Sequence, residues 1–302
     1  MHQLENACHT QLETAGELEV IRIRHPLVEA TVALQGAHLV HFAPDGENNW
    51  LWMSPQARFS TGVAIRGGIP VCWPWFGDPC RNPDEVKPLL DSDRAHGFAR
   101  TALWSLDSVE ELDEAVSITL GLNASGTGTG WRGRASVSLS FIFSPEGLTL
   151  ALTTRNAGND PLALTQALHT YLPTSQLCGT RILGLAGVRY LDTLDDWKPK
   201  QQEGTVILEG ETDRIYLAAP EMDIRTPEHK VHLSTIGSHS TVVWNPGPEK
   251  AARLTDFPDD AWTSMLCVET ANAADDYRVL QPGVSHTLSM TLARNGSRSE
   301  RL

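Results

Sequence analysis

Residues 135–143 read ASVSLSFIF, and this stretch decides the fold class. Val137, Leu139, Phe141 and Phe143 fall on one side of an extended chain, while the serines between them fall on the other side. Alternation with a period of two residues is typical of a β-strand with one buried and one solvated face. The stretch therefore predicts an antiparallel strand that covers a packed core.

Other alternating runs are bounded by Gly, Pro, Asn and Asp, and the clearest are residues 148–154, 230–236 and 286–292. Residues 83–92 fit a short turn of helix, but no apolar stripe continues for the three or so turns of an average helix. We therefore predict an all-β fold, in which antiparallel sheets form a large sandwich or barrel that limits exposed edges. Because the chain shows no internal repeat and no Gly/Ser linker, we expect residues 1–302 to form a single domain.

The glycine-rich segment 124–133 is not a convincing phosphate-binding loop. Its glycines at 126, 128 and 130 are not followed by Lys-Ser or Lys-Thr, and no Rossmann-type strand and helix flank them. We therefore predict a loop that joins the two strands of a hairpin.

The charge of the chain restricts its partners. There are 24 Lys and Arg against 37 Asp and Glu, which gives a formal net charge of −13. Such a chain does not attract the phosphates of nucleic acids or of acidic lipids, so we expect no nucleic-acid and no membrane partner. An anionic small molecule would need a local cluster of arginines.

The cysteines and the first residues bear on the compartment. The five cysteines are odd in number and include no C-x-x-C pair, so we expect neither a disulfide framework nor a structural zinc site. The start of the chain has neither a basic cluster nor an apolar stretch, and nowhere do about 18 apolar residues run together. We therefore expect a cytoplasmic protein.

The segment 64–77, AIRGGIPVCWPWFG, breaks the strand pattern. Gly67 and Gly68 permit backbone conformations that are closed to larger residues, and two prolines stiffen the chain that follows. Arg66 beside an aromatic wall suits a sugar with a negative group, because guanidinium groups match phosphate and aromatic faces pack against sugars. The alternative is a buried aromatic turn in which Arg66 forms a structural ion pair.

A second such segment lies at 95–100, AHGFAR, where His96 and Arg100 surround a glycine. Either residue alone would be unremarkable. Two arginines in neighbouring glycine-containing loops of an acidic protein indicate an anion pocket.

His169 and Glu269 are the candidate acid/base residues. His169 lies in the strand-like stretch QALHTYLP, and histidine has a proton affinity close to neutral pH. Glu269 follows four residues that read as a buried strand, where a carboxylate is costly unless it is paired, hydrogen bonded or used. Both could instead be structural, His169 as a core residue and Glu269 with a structural partner. Because the chain has no H-E-x-x-H, Walker or G-x-S-x-G motif, we expect any chemistry to be proton transfer.

Together these segments resemble the hexose-6-phosphate mutarotase branch of the aldose 1-epimerase superfamily. The likeness covers most of the chain, and its motifs are fairly specific in their order and spacing. They are GAHLVHF at 36–42, WLWMSP at 50–55, IRGGIPVCWPWFG at 65–77, AHGFAR at 95–100, ALHTYL at 167–172, VRYLD at 188–192, VVWNP at 242–246 and CVETAN at 267–272.

The resemblance implies a galactose-mutarotase-like β-sandwich of the supersandwich type. Such a protein is a monomer without a cofactor or a metal, and its open cleft holds a hexose 6-phosphate. His169 matches the family's general acid and Glu269 its general base. In the implied reaction, Glu269 takes the proton of the anomeric hydroxyl while His169 protonates the ring oxygen, and the opened ring recloses as the other anomer.

The resemblance also implies the binding residues. Arg66 and Arg100 match the arginines that hold the substrate's phosphate, and His96 lies in the same site. Asp192 matches a residue that contacts sugar hydroxyls.

Three other functions stay open on the sequence. An epimerase of unphosphorylated aldoses would share the acid/base pair, although the two arginines argue against it. A non-catalytic carbohydrate-binding module would keep the sandwich without turnover. A structural or interaction protein would use the aromatic loops as its contact surface.

Overall fold

The regular structure of the chain is mainly β-strand. The structure, a computed structural model, describes residues 4, 5, 7–125 and 128–294. In these residues the strands are β1 (Thr10–Ala15), β2 (Leu18–His25), β3 (Val28–Ala33), β4 (His38–Pro44), β5 (Val71–Cys72), β6 (Ser105–Glu111), β7 (Val116–Ser125), β8 (Arg134–Ser144), β9 (Gly147–Asn156), β10 (Leu162–Leu164), β11 (Gln166–Leu168), β12 (Tyr171–Pro173), β13 (Arg181–Leu183), β14 (Arg189–Asp192), β15 (Lys198–Gln201), β16 (Thr212–Tyr216), β17 (Met222–Arg225), β18 (Lys230–Ile236), β19 (Ser240–Asn245), β20 (Met265–Asn272), β21 (Arg278–Leu280) and β22 (Ser285–Arg294).

In the residues that the structure describes, helical structure is limited to short turns. The helix α1 spans Gly247–Ala251, and 3-10 turns lie at Pro79–Arg81, Lys87–Leu89, Ala99–Thr101, Leu177–Gly179, Ala261–Ser264 and Ala274–Asp276. The turn expected within residues 83–92 is thus a 3-10 turn, because Pro83 and Pro88 each remove a backbone donor that a longer helix needs. Among the described residues, no helix has the length and apolar character needed to cross a bilayer.

Two large antiparallel sheets form the sandwich. The first, which we call the cleft sheet because a cleft lies on its outer face, has the order β15-β14-β16-β19-β20-β11-β5, and β12 also pairs with β20. The back sheet has the order β13-β17-β18-β22-β9-β8-β7-β6. A four-stranded meander of β1 to β4 and the pair β10-β21 complete the fold. The prediction of an all-β, antiparallel sandwich is confirmed.

The stretches chosen from the sequence all belong to the back sheet, in β8, β9, β18 and β22. In β8, Val137, Leu139, Phe141 and Phe143 are buried, whereas Ser138 and Ser140 are only partly covered. The glycine-rich segment joins β7 to β8, which pair as a hairpin with Ser125 opposite Arg134. Residues 126 and 127 of that segment lie outside the described residues.

One apolar core connects the sheets. It contains Phe141 of the back sheet, Leu266 of the cleft sheet and Phe42 of the meander. The Trp73 indole, which follows β5, donates a hydrogen bond of 3.0 Å to the Thr154 hydroxyl in β9. The cleft sheet is therefore supported from behind by close packing, and its outer face can hold side chains in fixed positions.

Candidate active site

A cleft of about 670 Å³ lies on the outer face of the cleft sheet. Val242 of β19 and Glu269 of β20 line it, as do the loops that carry Arg66 and His96. Trp244 adds an aromatic side chain to the lining. The size and the mixture of apolar and charged groups fit a small ligand such as a sugar with a charged substituent.

Glu269 reaches the cleft because β20 alternates between two faces. Leu266 and Val268 pack into the core between the sheets, while Cys267 and Glu269 lie on the outer side. The Glu269 side chain is 1% exposed. Its Oε2 is buried and has no hydrogen-bond partner in the part of the chain that the structure describes. Because such an oxygen is costly to bury, it indicates a ligand position.

His169 lies opposite Glu269 in the neighbouring strands. β11 and β12 both pair with β20, and the register is the same in both: Leu168 lies opposite Thr270, and Tyr171 lies opposite Cys267. The same register places His169, between the two strands, opposite Glu269. Nε2 of His169 is 3.3 Å from Oε1 of Glu269. The imidazole stacks on the Tyr171 ring, with centroids 4.8 Å apart. The structure thus brings together the two residues that the sequence analysis named as acid and base.

The surroundings favour the uncharged form of both residues. Burial, followed by the charges of Arg100 and Arg66, lowers the pKa of His169 to about 3. Burial, followed by the charge of Asp213, raises the pKa of Glu269 well above its ordinary range. In the absence of a ligand, both shifts therefore favour a pair of neutral groups with the proton on Glu269.

Arg66 and Arg100 both line the cleft. One Nη of Arg66 donates to the Thr255 carbonyl at 3.4 Å, and one Nη of Arg100 donates to the Ala95 carbonyl at 2.9 Å. Among the described residues neither guanidinium pairs with a carboxylate, and Nε of Arg66 is buried without a partner. The structural ion pair considered for Arg66 is thus absent there. Two guanidinium groups without a carboxylate partner have the chemistry needed to bind an anion.

The two glycines after Arg66 determine where its side chain lies. Gly68 has a φ of +65°, and a Cβ there would lie 2.2 Å from the Leu39 carbonyl oxygen. Gly67 has a φ of +106°, and a Cβ there would lie 2.6 Å from the Trp52 carbonyl oxygen. Only glycine permits this conformation and this close approach, so the Gly-Gly pair fixes the path of the chain next to Arg66.

His96 is held by two hydrogen bonds with Gly77. Its backbone N–H donates to the Gly77 carbonyl at 3.0 Å, and the Gly77 N–H donates to its Nδ1 at 3.2 Å. Because Nδ1 accepts, the neutral ring carries its proton on Nε2. Burial, followed by the charge of Arg100, holds the pKa of His96 well below its ordinary value. His96 therefore offers the cleft an uncharged N–H donor, with its ring centroid 5.8 Å from that of His169.

Asp192 does not line the cleft, so the expectation that it contacts the sugar disagrees with its position. β14 pairs with β16 so that Asp192 lies opposite Arg214, and residues paired in this way share one face of a sheet. Asp213, one residue earlier in β16, faces the other way and lines the cleft. The Asp192 carboxylate instead lies 2.7 Å from the Lys200 ammonium.

The sequence analysis missed Asp213 and Lys250. Nζ of Lys250 lies 3.7 Å from Oδ2 of Asp213 and 5.9 Å from the Trp244 ring centroid. Burial raises the pKa of Asp213, and the charge of Lys250 opposes that effect. Asp213 lies two residues before Ile215 in the same strand, so both side chains lie on the cleft face. This spacing is the feature of the sequence that could have identified Asp213.

The arrangement suits proton transfer next to a bound anion. The buried carboxyl and imidazole can take one proton from a ligand and give one to it. The guanidinium groups and the neutral imidazole of His96 can hold the anion beside them. Among the described residues, no three His, Cys, Asp or Glu side chains are grouped so that they could bind a metal ion.

Comparison with known proteins identifies the family. The sequence model of the aldose 1-epimerase family matches residues 19–293. The chain belongs to the aldose 1-epimerase family. The match runs from β2 to β22 and includes every cleft residue described above. As a member of this family, the protein is an enzyme of the isomerase class, and a sugar is its substrate.

Relatives in this family are similar over most of their length. A protein of Escherichia coli (strain K12) is 35% identical over 280 residues, which cover 89% of this chain and 88% of that protein. A protein of Salmonella typhimurium is 34% identical over 267 residues, which cover 85% and 84%. Both are provisionally named glucose-6-phosphate 1-epimerase. The crystal structure of a provisionally named mutarotase from Salmonella typhimurium is 30% identical, has a TM-score of 0.84 and covers 96% of this chain and 94% of that one. The resemblance to an aldose 1-epimerase is confirmed.

Proposed function

We propose that this member of the aldose 1-epimerase family interconverts the α and β anomers of a hexose 6-phosphate, and that glucose 6-phosphate is a substrate. One observation carries the proposal: His169 and Glu269 lie 3.3 Å apart in the cleft that Arg66 and Arg100 also line. The names of the two curated relatives support the same substrate class.

Ring opening assigns one role to each residue of the pair. Once the proton of the pair lies on His169, the Glu269 carboxylate acts as the general base and takes the proton of the anomeric hydroxyl with Oε2, the oxygen that has no partner among the described residues. His169 acts as the general acid and gives a proton to the ring oxygen. The bond between C1 and the ring oxygen breaks, and C1 becomes an aldehyde. One proton enters the pair as another leaves it.

Ring closure reverses the roles. Rotation about the C1–C2 bond presents the other face of the aldehyde to the C5 hydroxyl. His169 takes the proton of that hydroxyl as it attacks C1, and Glu269 returns a proton to the new anomeric oxygen. The enzyme ends in its starting protonation state, and no covalent intermediate with the protein is needed.

The phosphate fits the pocket of Arg66 and Arg100, with His96 as a further donor. In a hexose 6-phosphate, the phosphate is bonded to the oxygen on C6. C6 is bonded to C5, which carries the ring oxygen. The anion site must therefore lie close to the general acid. The charges of both arginines act on the pKa of His169, which agrees with this placement. An enzyme for unphosphorylated sugars would have no use for two uncompensated guanidinium groups.

The proposal is tested by two-dimensional exchange NMR with glucose 6-phosphate labelled with ¹³C at C1, and with labelled glucose for comparison. We expect exchange between the anomers that depends on enzyme concentration and exceeds the spontaneous rate. Two charge-assisted hydrogen bonds are worth about 3 kcal/mol or more, so kcat/KM for glucose 6-phosphate should exceed that for glucose at least ~100-fold.

The alternatives give different results in the same experiment. Equal rates for the two sugars would contradict a phosphate pocket and favour an aldose 1-epimerase of unphosphorylated sugars. Saturable binding without enhanced exchange would favour a carbohydrate-binding module. The absence of both binding and exchange would favour an interaction protein.

We also propose that the chain works as a single-domain monomer in the cytoplasm. The apolar core that connects the sheets supports the first part. The five free cysteines suit a reducing compartment and support the second part. Light scattering after gel filtration should give the mass of one chain, and a dimer mass would contradict the proposal.

A further inference from the structure

We propose, on the basis of the proposed function, that the phosphate of the substrate is itself part of the catalytic machinery. Bound between Arg66 and Arg100, it moves the proton of Glu269 to His169 and so converts the pair into its working form. The working form is a Glu269 carboxylate beside a His169 imidazolium, and the resting form is the neutral pair. The phosphate would then raise kcat and not only improve binding.

The charges of the cleft are ordered along the sheet. The strand order β16-β19-β20-β11-β5 places Asp213 of β16 on the Glu269 side of the pair. Arg66 precedes β5, and Arg100 lies in the 3-10 turn that contacts β5, on the His169 side. A negative charge thus flanks the carboxyl, and two positive charges flank the imidazole.

The charges at the two ends of this row both disfavour the working form. The guanidinium charges of Arg66 and Arg100 disfavour a further positive charge on His169. The charge of Asp213 disfavours a further negative charge on Glu269. Burial is the largest influence on both groups, and these charges act in the same direction, so the proton is held on Glu269 in the absence of a ligand.

Among the described residues, the buried histidine, phenol and thiol groups near the pair supply no charge that would reverse this balance. Burial lowers the pKa of the two neighbouring histidines and raises the pKa of the neighbouring phenol and thiols, so all of them are neutral at pH 7. They are His38, His96, Tyr171, Cys72 and Cys267. Lys250 offsets only part of the charge of Asp213, at 3.7 Å.

A phosphate dianion between the two guanidinium groups removes the positive field at His169. This raises the fraction of pairs in which the proton has moved from Oε1 of Glu269 to Nε2 of His169, 3.3 Å away. No bond to carbon changes in this step, and the net charge of the pair stays zero. Each pKa unit gained by His169 relative to Glu269 raises the fraction of the working form about tenfold while that fraction is small.

The test separates the sugar from the anion. Xylose has the ring of glucose without C6, and phosphite dianion serves as the missing anion. We expect saturating phosphite to raise the enzyme's kcat/KM for xylose anomer exchange at least ~10-fold. Half-saturation should occur at the concentration at which phosphite half-inhibits glucose 6-phosphate exchange. Solutions without enzyme correct for catalysis by phosphite itself, and chloride holds the ionic strength constant.

Arginine variants provide a signature that a purely binding role would not give. Arg66→Gln and Arg100→Gln should lower kcat for glucose 6-phosphate and abolish activation by phosphite. They should also raise the rate with xylose alone, because a charge that opposes the imidazolium is gone. Arg58→Gln is the matched control: Arg58 lines the same cleft, but its Nε lies 2.6 Å from the Asp256 carboxylate, so activation by phosphite should persist.

Two further readouts decide the matter. With ¹⁵N-labelled histidine, phosphite should shift the ring nitrogens of His169 from the unequal values of a neutral imidazole to the similar values of an imidazolium. At saturation, kcat for glucose 6-phosphate should exceed kcat for glucose at least ~10-fold.

The inference is overturned if phosphite inhibits glucose 6-phosphate exchange but leaves the xylose rate unchanged. Equal kcat values for glucose and glucose 6-phosphate would overturn it as well, whether or not free phosphite binds. In both cases the proposed anomer exchange would stand. A failure to exchange glucose 6-phosphate would instead remove the proposed function.

Discussion

The burial of Glu269 and His169 costs the fold free energy, because both side chains are ionisable. Their side chains are 1% and 10% exposed, and their pKa values shift in the directions that keep both neutral. Ionisable groups with strongly shifted pKa values concentrate at functional sites, because catalysis needs such pKa values although the burial that causes them lowers stability. Here the cost coincides with a cleft, an unpartnered carboxyl oxygen and two uncompensated arginines.

Asp213 and Asp192 give a matched pair of variants. Asp213→Asn should lower kcat/KM for glucose 6-phosphate at least ~10-fold, because its carboxylate lines the cleft and can accept hydrogen bonds from sugar hydroxyls. Asp192→Asn makes the same chemical change on the other face of the sheet, where the partner is Lys200. Its activity should stay within ~2-fold of the wild type. If the loss appeared only in Asp192→Asn, the assignment of faces would be wrong.

Among the elements, the segment that carries Arg66 is shaped by a close crossing of chains. Gly68→Ala should lower the free energy of unfolding by at least about 2 kcal/mol, because the new Cβ would meet the Leu39 carbonyl oxygen at a positive φ. Gly62 also has a positive φ, but a Cβ there would meet nothing within 4 Å. Gly62→Ala should therefore cost about 1 kcal/mol.

Urea unfolding of both glycine variants checks this prediction. Similar losses for Gly68→Ala and Gly62→Ala would mean that the approach to Leu39 does not constrain the chain. A larger loss for Gly68→Ala, with weaker binding of the phosphosugar, would tie the crossing to the position of Arg66.

The strands of the back sheet could be predicted because their two faces differ. In β8, phenylalanines and aliphatic residues alternate with serines, so the period is visible in the sequence alone. β20 is buried on both faces, and its sequence MLCVETAN shows no alternation. The sequence could therefore mark Glu269 as an unusual carboxylate without showing which face it occupies.

Register is the information that the sequence did not provide. Asp192 and Asp213 are both acidic residues in strands, and only the pairing of β14 with β16 decides which one faces the cleft. The contact of His169 with Glu269 depends likewise on the register of β11 and β12 against β20. The resemblance to a family anticipated the pair, but spacing in the sequence could not.

For the whole molecule, buried histidines couple stability to acid. Burial lowers the pKa of His38, His96 and His169 in the fold, whereas an unfolded chain has the ordinary value of 6.5. The stability they contribute is fully present above about pH 6.5 and is lost as the pH falls towards the folded pKa values. Glu269 has the opposite sign: its raised pKa contributes stability that is lost as the pH rises above its ordinary 4.5.

Between pH 6 and pH 5, these three histidines less Glu269 contribute about two more protons to the unfolded chain than to the fold. The free energy of unfolding should therefore fall by about 3 kcal/mol per pH unit. Urea unfolding at these two pH values measures the change. His38→Gln should reduce the fall by about 1.4 kcal/mol. A flat dependence on pH would mean that these histidines are charged in the fold.

The most direct test of the paired roles of His169 and Glu269 is a comparison of anomer exchange rates. Exchange NMR with ¹³C-labelled glucose 6-phosphate would be run on the wild type, Glu269→Gln, His169→Asn and the double variant, with circular dichroism to show that each is folded. Each single variant should lose ~10²–10⁴ in kcat, and the double variant should lose little more, because both residues serve one proton-transfer path. A folded single variant that exchanges the anomers at nearly the wild-type rate would contradict the assignment.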